Sequence, residues 1–209
     1  MKHYLLGCFS LMALGLHADP MGESRLDGAK LPRAEMFNGL AVAPLTIRGV
    51  VDSDGTEKTF NGTIQEIDMQ IRDLNPSFSW ESFQSATRRQ YETVEKRRTE
   101  KVLCHVQNLP PASRTAIEKN RDWLNSIATE MSVDAQRCSK FSCMDNAAVW
   151  FCNDNLWWIQ QNSITLADHV GMILGEPDCE TSSNHNMIQG QAFDGDGYNI
   201  IVNADKSCP

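Results

Sequence analysis

No stretch of this 209-residue chain holds the roughly 20 consecutive apolar residues that a membrane-spanning helix requires, so no integral membrane segment is expected. Basic charge is also scarce. Nineteen Lys and Arg face 27 Asp and Glu, and the net charge of -8 argues against nucleic acid as a partner, because a phosphate backbone attracts basic surfaces. Cysteine is missing from residues 19–98, which denies that stretch any covalent staple. Close Cys-x-x-Cys or His spacings are missing too. Cys138, Cys143 and Cys152 stand too far apart for a zinc site, and no metal or cofactor is expected. N-glycosylation has a single sequon, Asn61-Gly62-Thr63, reasonable in an exposed loop of an exported protein.

What is present begins with a leader. Lys2 precedes a mostly apolar stretch, Tyr4 to Leu16, too short to span a bilayer, and Leu16-His17-Ala18 offers a cleavage site. Residues 1–18 thus read as a signal peptide cut after Ala18, and the product as secreted and extracellular. Cys8 leaves with the leader. The remaining six, Cys104, Cys138, Cys143, Cys152, Cys179 and Cys208, are an even number in the C-terminal half and predict three disulfides. Six cysteines allow 15 pairings, and the sequence does not choose among them.

Between the cysteine-free and cysteine-rich halves lie Arg88-Arg89 and Lys96-Arg97-Arg98. Dibasic strings in a secreted chain suit a kexin-type protease of the export pathway. A cut after Arg98 would separate a pro-region, 19–98, from a mature domain, 99–209, of 111 residues with 7 basic and 14 acidic side chains. Within the pro-region, Thr46 to Val51 meets the turn Asp52-Ser53-Asp54-Gly55, which predicts a small hairpin. Ile64, Ile67, Ile71 and Leu74 recur at helical spacing until Asn75-Pro76 stops them. Such a face needs cover. The expectation is that it packs on the C-terminal domain during folding and leaves after cleavage.

In the C-terminal half, Val102 to Val106 reads as a strand. Ser113 or Pro111 starts a helix bearing Ile117, Leu124, Ile127, Ala128 and Met131 on one side. A hairpin follows, turning at Asp145-Asn146. Thr165 and Asp168 resemble a capping box for a second helix with Leu166, Val170, Ile173 and Leu174, ended by Gly175 and Pro177. Met187 to Phe193 and Tyr198 to Val202 bracket Asp194-Gly195-Asp196-Gly197 as a last hairpin. The order is strand, helix, hairpin, helix, hairpin. It predicts an α+β fold, a small antiparallel sheet of about five strands with two helices on one face, stabilised by disulfides.

Cys138-Ser139-Lys140-Phe141-Ser142-Cys143, with Asn146 to Trp150 and Phe151-Cys152-Asn153-Asp154-Asn155, resembles the core motif of small cysteine-rich secreted proteins of filamentous fungi. Gly190 to Phe193, Tyr198 to Val202 and Cys208 resemble that family's closing hairpin, and Phe60 to Gln65 with Leu74 to Pro76 a stretch of its precursor. The strand–helix order is loosely similar to the virally encoded killer toxins of smut fungi. The resemblance implies a candidate effector or toxin-like factor without an assigned enzyme activity. The loop Leu156-Trp157-Trp158-Ile159 departs from the family, so a binding role there does not follow from it.

Catalytic chemistry has few candidates. His105, His169 and His185, with Glu118, Glu130 or Glu176, could mimic a ribonuclease pair, although an acidic domain repels that substrate. Asp194 to Asp205 invites a calcium loop, but Asn199 stands where an EF-hand needs Gly and Asp205 where it needs Glu, so a hairpin turn explains it better. Asn153-Asp154-Asn155 likewise reads as a turn that satisfies its own backbone. Trp157, Trp158 and Ile159 either close over the core or form a partner-binding patch. The sequence therefore predicts a secreted, non-enzymatic factor that binds a protein or cell-surface target of a host or competitor. The alternatives are a small histidine-dependent hydrolase and a secreted inhibitor or binding module.

Overall fold

The computed structural model of the chain describes residues 36–81, 99–181 and 184–209. The leader with Ala18, and the dibasic sites Arg88-Arg89 and Lys96-Arg97-Arg98, lie outside the described residues. The first of these carry β1 (Met36–Phe37), β2 (Leu40–Val42), the hairpin β3 (Leu45–Val50) and β4 (Glu57–Gly62), and α1 (Ile64–Leu74). After β5 (Thr99–Cys104) and β6 (Ala112–Ser113) come α2 (Arg114–Ile127), β7 (Glu130–Val133), and the hairpin β8 (Arg137–Met144) and β9 (Ala147–Asn153). β10 (Ile159–Asn162) leads into α3 (Ser163–Gly175), and β11 (Glu180–Thr181), β12 (Asn184–Ile188), β13 (Gly190–Asp194) and β14 (Tyr198–Ala204) close the chain.

The fold is α+β, with a main sheet larger than expected: seven strands in the order β1-β2-β8-β9-β14-β13-β5, not about five. It is antiparallel except where β2 runs parallel to β8. Two smaller sheets, β10-β7-β3-β4 and β11-β12-β6, were not anticipated. Only the β3–β4 hairpin was expected; the other strands, of two to five residues, are too short to show alternation. Met131, expected on a helix, lies in β7, because α2 stops at Ile127 and Ala128 takes a left-handed φ of 41°. Met187 to Phe193 is two strands in different sheets rather than one. The second helix is capped not by Thr165 but by Asn162, whose side chain accepts from the Ile164 amide.

The main sheet is covered on both faces, which explains why every residue of β9 is buried. Val149, Phe151, Tyr198, Ile200 and Val202 join the core formed with Ile117 and Leu124 of α2 and Leu166, Val170 and Ile173 of α3. Ala148, Trp150, Cys152 and Ile201 form a second cluster beneath Phe37, Leu40 and Val42. Phe37 stacks on Trp150, with ring centroids 3.8 Å apart and planes 9° from parallel.

Residues 36–81 are thus woven into the C-terminal half. Thr46 of β3 pairs with Ser132 of β7, and Ala41 of β2 with Arg137 of β8. Ile64, Ile67 and Ile71 are buried in the shared core, whereas Leu74 at the end of α1 is 51 % exposed. Gln65 donates to the Ser142 hydroxyl at 2.9 Å and accepts from the Cys143 amide at 3.1 Å. Each isoleucine buried in this way contributes about 1.5–3 kcal/mol. Thr63 opens α1 with a reciprocal capping box to Glu66.

All six expected cysteines pair, as Cys104–Cys179, Cys138–Cys152 and Cys143–Cys208. Three intramolecular disulfides are typical of extracellular proteins. Cys138 and Cys152 face each other across β8 and β9, and Cys143–Cys208 ties the C-terminus to the same hairpin. Cys104–Cys179 clamps β5 to the turn after α3, packing over Gly190. A Cβ there would stand 2.7 Å from Ile173 and 2.9 Å from the Cys179 sulfur, so only glycine fits. Among the described residues, no helix is long and apolar enough to cross a membrane.

Candidate functional site

Asn153, the last residue of β9, is fully buried and organises the loop that follows. Its amide nitrogen donates to the carbonyls of Asp134 and Trp157 at 3.0 and 2.7 Å, and its oxygen accepts from the Asn155 amide at 2.9 Å. Asn155 reaches across to the last hairpin turn, donating to the carbonyls of Asp196 and Gly197 at 2.8 and 3.1 Å. Gly197 has a φ of 76°, and a Cβ on it would lie 2.7 Å from the Asn155 oxygen. The Asn199 side chain holds Asp154 at 2.8 Å. Asn153-Asp154-Asn155 therefore forms the expected turn, with more partners than its own backbone.

That scaffold presents three consecutive apolar side chains to solvent. Leu156 is 77 % exposed, and Trp157 and Trp158 are each 62 % exposed. The reading in which the tryptophans close over the core is therefore corrected: with the turn pinned at both ends, the chain rejoins the core only at Ile159. Ile159 itself is buried, pairs with Val133 and belongs to the core rather than to the patch. Leu156 takes its place on the surface. The register of β10 against β7 decides this.

Trp158 stands between two open grooves. One, of about 400 Å³, runs over the outer face of the sheet β10-β7-β3-β4. Strand alternation builds its floor. Leu45, Ile47, Met131, Val133 and Ile159 turn inward to the core. Thr46 and Arg48 of β3, Glu130 and Ser132 of β7, and Gln160 of β10 line the groove, with Asp134 at one end. Glu130 accepts from the Asn162 side chain at 3.1 Å. Among the described residues, the side chains of Arg48, Asp134 and Gln160 make no hydrogen bond or ion pair. The second groove, of about 610 Å³, lies between the tryptophans and the turn Gly195-Asp196-Gly197.

The histidines occupy other places. His169 on α3 is 2 % exposed, its Nδ1–H donating to the Thr165 carbonyl at 2.8 Å and its Nε2 lying 3.1 Å from the Asp194 carboxylate. Both ring nitrogens are engaged away from solvent, so this ring braces α3 against the last hairpin. His105 is exposed, in a left-handed conformation at the end of β5. His185 lies in β12, and its side chain is outside the described atoms. The Asp194 to Gly197 stretch is the expected hairpin turn, with Asp194 accepting from the Asp196 amide at 2.9 Å. No group of three His, Cys, Asp or Glu among the described residues is placed to hold a metal ion.

Asn61, in the sequon, lies exposed on β4 and accepts from the Thr46 hydroxyl at 2.9 Å. Electrostatic work is done elsewhere. Partial burial alone would raise the Asp205 carboxyl, but Lys140 at 2.7 Å and Ser207 hold it below its ordinary value. The exposed Asp54 carboxyl is depressed as well, by hydrogen bonding with Asp52, the Thr56 amide and Lys58. Neither group touches the grooves. Comparison with family models, with curated proteins and with solved structures finds no match to this chain.

Proposed function

We propose that this chain is a secreted binding factor, effector-like or toxin-like, that recognises a host or competitor surface through Trp157 and Trp158. One observation carries the reading. Two adjacent tryptophans, each 62 % exposed, are displayed on a loop pinned by Asn153 and Asn155 at the junction of two grooves. A tryptophan left in water wastes the burial it could gain, and a rigid loop lowers the entropic cost of covering it with a partner. The resemblance to secreted fungal proteins, the apolar leader and the three disulfides support export in the same reading.

Processing belongs to the proposal. A kexin-type protease cuts after Arg98, and residues 36–81 stay docked instead of departing. The expected mature domain alone would lack β3 and β4, half of the sheet under the groove that Arg48 lines. The test is the variant Trp157→Ala/Trp158→Ala, labelled and added to cells of a candidate host or competitor. It is expected to be exported with three disulfides and to lose at least tenfold in cell-surface retention. Retention equal to wild type would refute the reading.

A further inference from the structure

The groove over β10-β7-β3-β4 has a lining that selects among ligand classes. Arg48 contributes one positive charge against the two negative charges of Glu130 and Asp134, so an anionic ligand such as a phosphate or sulfate is repelled on balance. The remaining floor is hydroxyl and amide, from Thr46, Ser132 and Gln160, which does not match the apolar, charge-depleted centre of a protein–protein interface. What it offers is a row of planar and hydroxylic hydrogen-bonding groups beside one large aromatic plane. Carboxylates, amides and guanidinium groups accept or donate two parallel hydrogen bonds, the geometry that vicinal hydroxyls present. An indole face adds an apolar, polarisable platform for a ring bearing axial C–H bonds.

Resting on the binding face described above, we infer that the groove over β10-β7-β3-β4 is a subsite for a neutral, linear polysaccharide. One pyranose ring stacks on Trp158 with its hydroxyls on Asp134 and Gln160, and a further ring of the chain reaches Arg48 along the groove. The groove is open and continues past Trp158 into the second one, so a chain can lie across the site without presenting an end. Its 400 Å³ falls in the range of about 300–1,000 Å³ for small-ligand clefts and admits a short run of sugar residues. An uncharged ligand leaves no charge pair for salt to screen, so the binding is insensitive to salt.

The test uses the full chain and three probes, laminarihexaose, chitohexaose and xylohexaose, followed by tryptophan fluorescence. At least one is expected to give a saturable change with the same Kd in 0.05 and 0.5 M NaCl. Trp158→Ala should raise that Kd at least tenfold, and Asp134→Asn at least threefold. Met172→Ala, an exposed apolar change on α3 away from both grooves, should leave it within twofold. No saturable change with any probe, or binding indifferent to Trp158→Ala and Asp134→Asn, overturns the inference. If all three probes fail while the double tryptophan variant still loses cell retention, the saccharide is wrong and the binding face survives. If retention also persists in that variant, both are wrong.

Discussion

Residues 36–81 hold no cysteine and residues 99–209 hold six, yet Ile64, Ile67 and Ile71 from the first pack into the same core as Ile117, Leu124 and Val170 from the second. The first region is held by strand pairing and burial alone, the second by those and three crosslinks. The difference teaches where covalent bonds are needed. Cys104–Cys179 and Cys143–Cys208 span 75 and 65 residues, and each removes about 4 kcal/mol of chain entropy from the unfolded state. Cys138–Cys152 spans 14 and removes about 3. The N-terminal region reaches both faces of the main sheet through Phe37 and α1, so the core itself retains it. A cut between the two would sever backbone without severing the interface.

Removing a long-range staple has the largest expected effect. Cys104→Ala/Cys179→Ala should lower stability by about 4 kcal/mol, read as a fall in the urea midpoint with a steeper slope, because the unfolded chain without the crosslink exposes more surface. Ile67→Ala, on the region without staples, should cost about 3 kcal/mol. If the two regions form one core, tryptophan fluorescence and circular dichroism will report a single coincident transition, whereas two transitions would separate them. Thr63→Ala, which removes the α1 capping box, should cost about 1 kcal/mol by the same measurement.

The smallest effect is a matter of pH. Asp205 is depressed in the folded state, so its contribution is fully present above its unfolded value of about 3.9 and lost as pH falls toward the folded one. Asp205→Asn should cost under about 1 kcal/mol at pH 7, and less as the pH falls below about 3.9. A deficit that does not shrink with falling pH would assign the loss to packing instead.

Long, regular elements were legible in the sequence. The helix at Ile64 to Ile71 shows its period, and Asp52 to Gly55 and Asp145-Asn146 mark their hairpins, the latter pair with φ of 52° and 56°. Cysteine parity gave the three bridges without their partners. What escaped was tertiary. β7 and β10 have four residues each, and they join β4 in one sheet only because β3 pairs with β7 from 86 residues away in sequence. For that reason the groove was invisible: Arg48 and Glu130 share it across two regions that composition separates. Trp157 and Trp158 were legible as candidates, but their exposure depends on hydrogen bonds from Asn153 and Asn155 to distant carbonyls.

The claim that most of this rests on is that residues 36–81 are a permanent wall of the binding site. Mass spectrometry of the product recovered from culture medium, under native and then denaturing conditions, tests it directly. One native species is expected, its mass including residues 36–81, resolving on denaturation into two pieces if the chain is cut after Arg98. A native species that begins at residue 99, retaining its hold on the target surface, would contradict it.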